Sequence, residues 1–229
     1  MHEATWDLDE MVKVNDFRLR LSVKPSRDLV QVLNKTAKTG SGTVVVWRKV
    51  DRIFSKTYAN PGGRFAREKF NERIKEFEKH ASMVFHRFLD TTEKRARNIT
   101  MTVNGKKLKP WDPFCRKEPA TSLAATQTVN VETNEEEKLG AFTVNAYILP
   151  REEDWTSETS LKEADTSTKK QGIYVYRENR LIVPATWLGL RIPDTHLNMC
   201  RIEFSFGYEL DEAFRVDVKK SQIEMEAAI

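Results

Sequence analysis

Apolar residues recur along this chain in two rhythms: every second position in several short runs, and at steps of three to five in one long run. Period two marks a half-buried strand, and the longer step marks one face of a helix. Residues 6–8 form a first short strand candidate. Residues 17–23 alternate cleanly, with Phe17, Leu19, Leu21 and Val23 opposite Arg18, Arg20 and Ser22. Pro25-Ser26-Arg27-Asp28 opens a short helical piece whose apolar side is Leu29, Val30 and Leu33. Lys38-Thr39-Gly40-Ser41-Gly42 reads as a flexible turn. Thr43-Val44-Val45-Val46-Trp47 is β-branched enough to predict a buried strand.

The longest predicted element is a helix over residues 64–89, introduced by Pro61-Gly62-Gly63. Phe65, Phe70, Ile74, Phe77, Ala81, Val84, Phe85 and Phe88 form its stripe, which the pattern assigns to the core. Basic and acidic residues interleave on the opposite side, the signature of a solvated face with pairs one turn apart. Residues 98–103 alternate again, and Asn104-Gly105 is a strong hairpin turn. Residues 106–119 read as loop. Residues 127–132 and 141–149 predict paired strands around an acidic turn at 134–137, and the polar stretch 151–170 predicts a mobile loop. Gly172-Ile173-Tyr174-Val175-Tyr176 predicts a strand that turns at Arg177-Glu178-Asn179 and returns through residues 180–183. Residues 199–206 predict another, with Cys200, Ile202, Phe204 and Phe206 opposite Arg201, Glu203 and Ser205. Residues 210–214 form a brief turn before a closing strand marked by Val216 and Val218.

These elements make an α+β protein: a mixed β-sheet with one long helix packed on it. The 229 residues are enough for one large domain or two small ones. The 38 Lys and Arg against 34 Asp and Glu leave a net charge of only +4, too small by itself to imply nucleic acid. Two distant cysteines, Cys115 and Cys200, offer neither a disulfide framework nor zinc spacing, so a reducing cytoplasm is the default compartment. Apolar runs stay short of a membrane span, and residues 1–20 lack a signal-peptide core.

Candidate chemistry is sparse. His80 and His86 stand six apart on the long helix and do not share a face, so no metal pair is expected. Serine-hydrolase, zinc-protease and phosphate-loop motifs are missing, and neither cysteine has a neighbouring histidine. Two clusters of cations remain. Between residues 94 and 117 lie eight Lys or Arg against one acid, Asp112. Lys94, Arg95, Arg97, Lys106, Lys107 and Lys109 are therefore candidates for contacting a phosphate backbone, and a solubilising surface accounts for them equally. Lys219 and Lys220 follow the closing strand, where a rigid mount would hold a lysine against a phosphate at little ordering cost. A solvated pair ending a strand explains the same residues.

Three landmarks, taken in order, resemble the GHKL ATPases, the class of DNA gyrase B, MutL, the MORC proteins and the heat-shock chaperone. Gly42-Thr43-Val44-Val45-Val46 is similar to the Gly-Thr motif that begins the last strand of the family's ATPase domain. The segment Gln171 to Ile182 resembles a strand-turn-strand in which an aromatic-rich strand runs into Asn-Arg, here Asn179-Arg180. Val216-Asp217-Val218-Lys219-Lys220-Ser221-Gln222-Ile223 is similar to the strand and lysine loop of the transducer domain.

The resemblance implies a division into residues 1–50, the last strands of an ATP-binding domain, and residues 51–229, a transducer domain with a ribosomal-protein-like βαβ fold. It implies that Lys220, with Lys219 as the alternative register, touches the γ-phosphate of ATP, and that Gly42 and Thr43 support the phosphates. The spacer before the lysine is shorter than in MutL, which leaves the register open by one. Nothing in residues 1–41 matches the family's catalytic glutamate, its magnesium-binding asparagine or its adenine loop. The expectation is therefore a piece of a longer ATPase, inactive alone, with ATP and Mg²⁺ as cofactors only of the intact protein. Its expected partners are the ATP-binding domain of the same polypeptide, a second copy in a homodimer, and DNA. A nucleic-acid-binding module built on residues 94–117 and a structural interaction domain are the competing expectations.

Overall fold

A computed structural model describes residues 2–37, 41–50, 53, 54, 60, 62–132 and 138–214. The chain divides into two compact units, Met1–Ala59 and Asn60–Ile229.

The first unit contains β1 (Glu3–Thr5), α1 (Leu8–Val14), β2 (Arg20–Ser22) and α2 (Arg27–Thr36). β1 and β2 pair antiparallel, Ala4 opposite Leu21. The strand expected at residues 6–8 is absent because Asp7 is the N-cap of α1: its carboxylate accepts from the amides of Asp9 at 3.1 Å and Glu10 at 3.4 Å. Asn15, at φ 49°, ends the helix in the left-handed conformation. The strand expected over 17–23 shortens to Arg20–Ser22, since only three rungs of ladder have a partner. The helical piece after Pro25 forms as α2. The buried strand expected over 43–47 does not form, and Val45 and Trp47 are exposed. β-propensity reports fit to a neighbouring strand, and no described residue supplies one. Among the described residues of this unit none is fully buried.

The second unit opens with α3 (Arg64–Val84), followed after Phe85 by the single turn α4 (His86–Leu89). Then come the hairpin β3 (Thr102–Val103) and β4 (Lys106–Lys107), β5 (Ser122–Glu132), β6 (Lys138–Ile148), α5 (Glu158–Ala164), β7 (Gly172–Arg177), β8 (Arg180–Thr186) and β9 (Cys200–Phe206). Five strands form one mixed sheet in the order β5-β6-β9-β7-β8. Every pair is antiparallel except β7 with β9. The α+β architecture with a long helix against a mixed sheet is thus present, α3 meeting the sheet at β8.

Register sorts the sheet into two faces. Phe142 faces Phe206 across β6 and β9, Val144 faces Phe204, and Val175 of β7 stands beside Phe204 on the other side. With Ile173, Ile182, Leu210 and Phe214 these residues make a dry core. The intervening positions put Asn145 opposite Glu203 and Tyr147 opposite Arg201, with Tyr174 and Tyr176 alongside. The Asn104-Gly105 turn has both residues at positive φ, 50° and 81°, as the two-residue hairpin requires.

Two expectations for this unit are corrected. The phenylalanine stripe of the long helix is core only toward its end, where Ala81 and Val84 are buried, whereas Phe65, Phe70 and Phe77 are largely exposed. Ala66 in the first turn is also buried, so the face α3 covers is carried by small residues and not by the phenylalanines. The stretch 151–170 is ordered. Ser157 caps α5 by accepting from the Ser160 amide at 3.1 Å, and Ala164 is buried. The Trp111 indole donates to the Glu163 carbonyl at 2.7 Å, and Arg201 donates to the carbonyls of Ala164 and Asp165. A polar sequence is held here by backbone acceptors, which no hydrophobic pattern reveals. Among the described residues no helix is long and apolar enough to cross a membrane.

Candidate functional site

The strongest concentration of chemistry lies on the second face of the sheet. Alternation on β9 points Arg201, Glu203 and Ser205 one way. In a sheet with one wet face those side chains would meet water. Here α4 and the segments 90–97 and 108–117 cover them, and Arg201 and Glu203 have no exposed surface. The break at Phe85, with φ −106° and ψ 17°, separates the short turn that places His86 and Arg87 in the same buried layer.

Glu203 is the hub. Its Oε1 accepts from Arg87 Nη2 and from Arg95 Nη1 at 3.1 Å, and its Oε2 accepts from Asn145 at 2.7 Å. Arg87 also donates to Ser205 Oγ at 2.8 Å and Asn179 Oδ1 at 3.1 Å, and its guanidinium lies 3.7 Å from the Tyr176 ring centre. Burial alone would push the Glu203 carboxyl up, yet Arg87 and Arg95 hold it below the usual carboxylate range. Burial pulls Arg87 down from its ordinary value while Glu203 opposes the fall. The pair is charged and internally neutralised, the arrangement a buried ion pair needs to survive desolvation.

His86 shares this layer. Its Nε2 lies 2.7 Å from the Tyr176 hydroxyl, in hydrogen bond, while its Nδ1 has no partner among the described residues. Burial lowers its pKa to about 4, so the ring is neutral at physiological pH. Arg201 donates to the Tyr174 hydroxyl at 2.8 Å and to the two carbonyls of the α5 end, with no carboxylate among its described partners.

Toward solvent the network opens into a cavity of about 420 Å³ between the 90–97 and 108–117 segments and Tyr147 of β6. Glu93 braces two guanidiniums there: it accepts from Arg95 Nη2 at 2.6 Å and Arg116 Nη1 at 3.3 Å. Arg95, through its hydrogen bonds, draws the Glu93 carboxyl far below the carboxylate range, with burial opposing. Arg116 also donates to Asp112 at 2.8 Å, and Lys117 pairs with Asp90 at 3.0 Å. The Cys115 thiol behind this wall is pushed up to about 12 by burial, so it is protonated at neutral pH.

Of the residues expected to carry function, Arg95 joins the buried network. Lys94, Arg97, Lys106, Lys107 and Lys109 are exposed and make no ion pair among the described residues; Lys106 and Lys107 form β4. Gly42 and Thr43 lie exposed in the first unit without regular secondary structure. Lys219 and Lys220, with the expected closing strand, lie outside the described residues. The ion cluster itself went unread because its members come from six separated stretches. One signal was present: β7 reads Ile-Tyr-Val-Tyr, apolar at consecutive positions, which means a strand covered on both faces. Charged residues on a neighbouring strand of such a sheet are then buried and must find hydrogen-bond partners there. No protein-family model matches this chain, and no curated protein matches it either.

Proposed function

We propose that the second unit is a coupling module of a GHKL-type ATPase, in which Lys220 senses the γ-phosphate of ATP held by another domain. The order of the three sequence landmarks motivates the reading, and one structural observation supports it most. Phe214 is fully buried, packed on Phe142, Phe204 and Phe206 with ring centres 4.8–5.7 Å apart. Lys220 follows six residues later. A short tether on a rigid sheet is what a sensor needs if contact with a phosphate is to move a whole domain. The second landmark is also firmly built. Glu178 and Asn179 take φ of 48° and 66°, and Asn179 donates to the Arg95 carbonyl at 2.7 Å.

A charge-assisted contact made only to the triphosphate contributes about 1.5–3 kcal/mol, enough to bias a rotation between domains and with it the closure of a dimer. In the ATPase polypeptide that carries this sequence, Lys220→Ala is expected to cut ATP turnover about tenfold to a hundredfold. Lys219→Ala is the register control. Unchanged turnover in both variants removes the reading.

The competing nucleic-acid module keeps one observation in its favour, the five exposed cations that make no ion pair among the described residues. It requires salt-sensitive DNA binding by this chain, log K falling about 0.9 for each phosphate contact. DNA that stays unbound at low salt rules it out.

A further inference from the structure

The cavity beside Tyr147 contains more hydrogen-bond donors than its own acceptors use. Each of its carboxylate oxygens is engaged. Glu93 Oε1 accepts from the Arg95 amide and Nε, and Oε2 accepts from Arg95 and Arg116. Asp90 Oδ1 accepts twice from Thr92 and Oδ2 pairs with Lys117. Asp112 accepts from the Phe114 amide on one oxygen and from the Arg116 amide and Nε on the other.

The donors are not exhausted. Arg116 Nη2 and the Tyr147 hydroxyl make no hydrogen bond among the described residues. Lys117, with its side chain 69% exposed, spends one of three N–H donors on Asp90. The charges divide by depth as well. The Glu93 and Asp90 side chains are 8% and 11% exposed, while those of Arg116 and Lys117 are 27% and 69% exposed. The acids therefore form the floor and the cations the mouth. A guest meets positive charge and unused donors first.

We propose that this cavity is a binding site for a phosphate-class oxyanion, held by Arg116 Nη2, the Lys117 ammonium and the Tyr147 hydroxyl. The volume is within the usual range for small-ligand sites. Glu93 and Asp112 fix the Arg116 fork before the ligand arrives, so little ordering is lost on binding. A cation meets carboxylate oxygens already engaged by Arg95, Arg116, Lys117 and Thr92, and an uncharged acceptor forgoes the charge-assisted strength of a guanidinium–oxyanion contact. None of these residues belongs to the segment proposed to sense ATP, so the two readings stand or fall separately.

The phosphate could belong to a small phosphorylated molecule or to a nucleic-acid backbone, and calorimetry on the 229-residue chain at fixed ionic strength distinguishes them. The probes are inorganic phosphate, a nucleoside monophosphate and a short single-stranded oligonucleotide. Saturable phosphate binding in the millimolar range is expected. Lys117→Ala and Tyr147→Phe, neither of which removes a buried charge, should each raise Kd about tenfold. Lys106→Ala, on the separate β4 edge, should leave Kd unchanged. If the oligonucleotide binds far more tightly than the monophosphate and with steep salt dependence, the natural ligand is a polymer backbone. If the two bind alike, it is a small phosphoryl compound. Phosphate that fails to saturate, or a Lys106→Ala loss equal to that of Lys117→Ala, overturns the proposal.

Discussion

The two faces of the sheet are both buried at β7 and β9, yet they are built from opposite materials. On one, Phe142, Phe204, Phe206 and Phe214 pack with Val175, Leu210 and Ile182, and nothing needs a specific partner. On the other, Glu203, Arg87, Arg201 and His86 are sealed in with Tyr174 and Tyr176, and each depends on particular neighbours. Area removed from water stabilises the first in proportion to its extent. The second gains little from burial as such and much from completeness, because a half-paired buried charge is worse than none. The apolar face therefore supplies cohesion. The ionic face fixes which segments lie where, joining α4, the 90–97 segment, the β7–β8 turn and the α5 end to the same three strands.

The sharpest way to break this contrast is to remove the hub. Glu203→Ala leaves Arg87 buried without its counter-charge, and a loss of about 3–5 kcal/mol is expected in denaturant unfolding. Replacing both partners, Glu203→Leu with Arg87→Met, should recover most of that loss, since an apolar pair asks for no counter-charge. A double variant as unstable as the single one would show that the pair's charge itself stabilises the fold.

Acid should separate the faces next. The neutral His86 has a folded-state pKa of about 4 against roughly 6.5 unfolded, so below the upper value the unfolded chain binds the extra proton. Stability then falls as pH drops from about 6.5 to 4, by on the order of 3 kcal/mol, and the His86 contribution levels off below. The groups that act on the ring are Arg87, Arg116, Asp112 and Glu203, the last two favouring its protonation. The carboxyls of Glu203, Glu93 and Asp90 are held low in the fold, so their stabilisation is present above the unfolded carboxylate range and is lost only at still lower pH. His86→Gln should flatten the curve between pH 6.5 and 5 in a pH series of thermal melts. A wild-type curve already flat there would mean the ring is not sealed. On the apolar face Phe204→Leu should cost about 1–2 kcal/mol at every pH, because only packing changes.

The same contrast explains what could be read in advance. The apolar face was legible because period two in β6 and β9 and the continuous apolar and aromatic run of β7 specify it locally. The Asn104-Gly105 hairpin and the α5 cap are local chemistry too, although only the first was recognised. The ionic face was not legible as a site. Arg201 and Glu203 have the spacing of a solvent-facing row, and His86-Arg87 looks like the end of an exposed helix. Only the tertiary covering by α4 and the 108–117 segment turns them into a network. The β-branched run at 43–47 failed for the converse reason, a strong local preference with no partner strand among the described residues.

The smallest expected effect tests where the ionic face ends. Lys117 pairs with Asp90 at 3.0 Å, but its side chain is 69% exposed, so water screens the contact. Lys117→Ala should change unfolding free energy by less than about 1 kcal/mol, against several for Glu203→Ala on the same face. Its effect on phosphate binding, tenfold in Kd or about 1.4 kcal/mol, is expected to exceed its effect on stability. That split is what separates a binding rim from a structural core: Lys117 at the mouth is held loosely enough to exchange partners, while the guanidiniums beneath are too fully committed to move. If Lys117→Ala destabilises the fold as strongly as loss of the hub, the rim belongs to the core, and the cavity is a gap in a structural network and not a site.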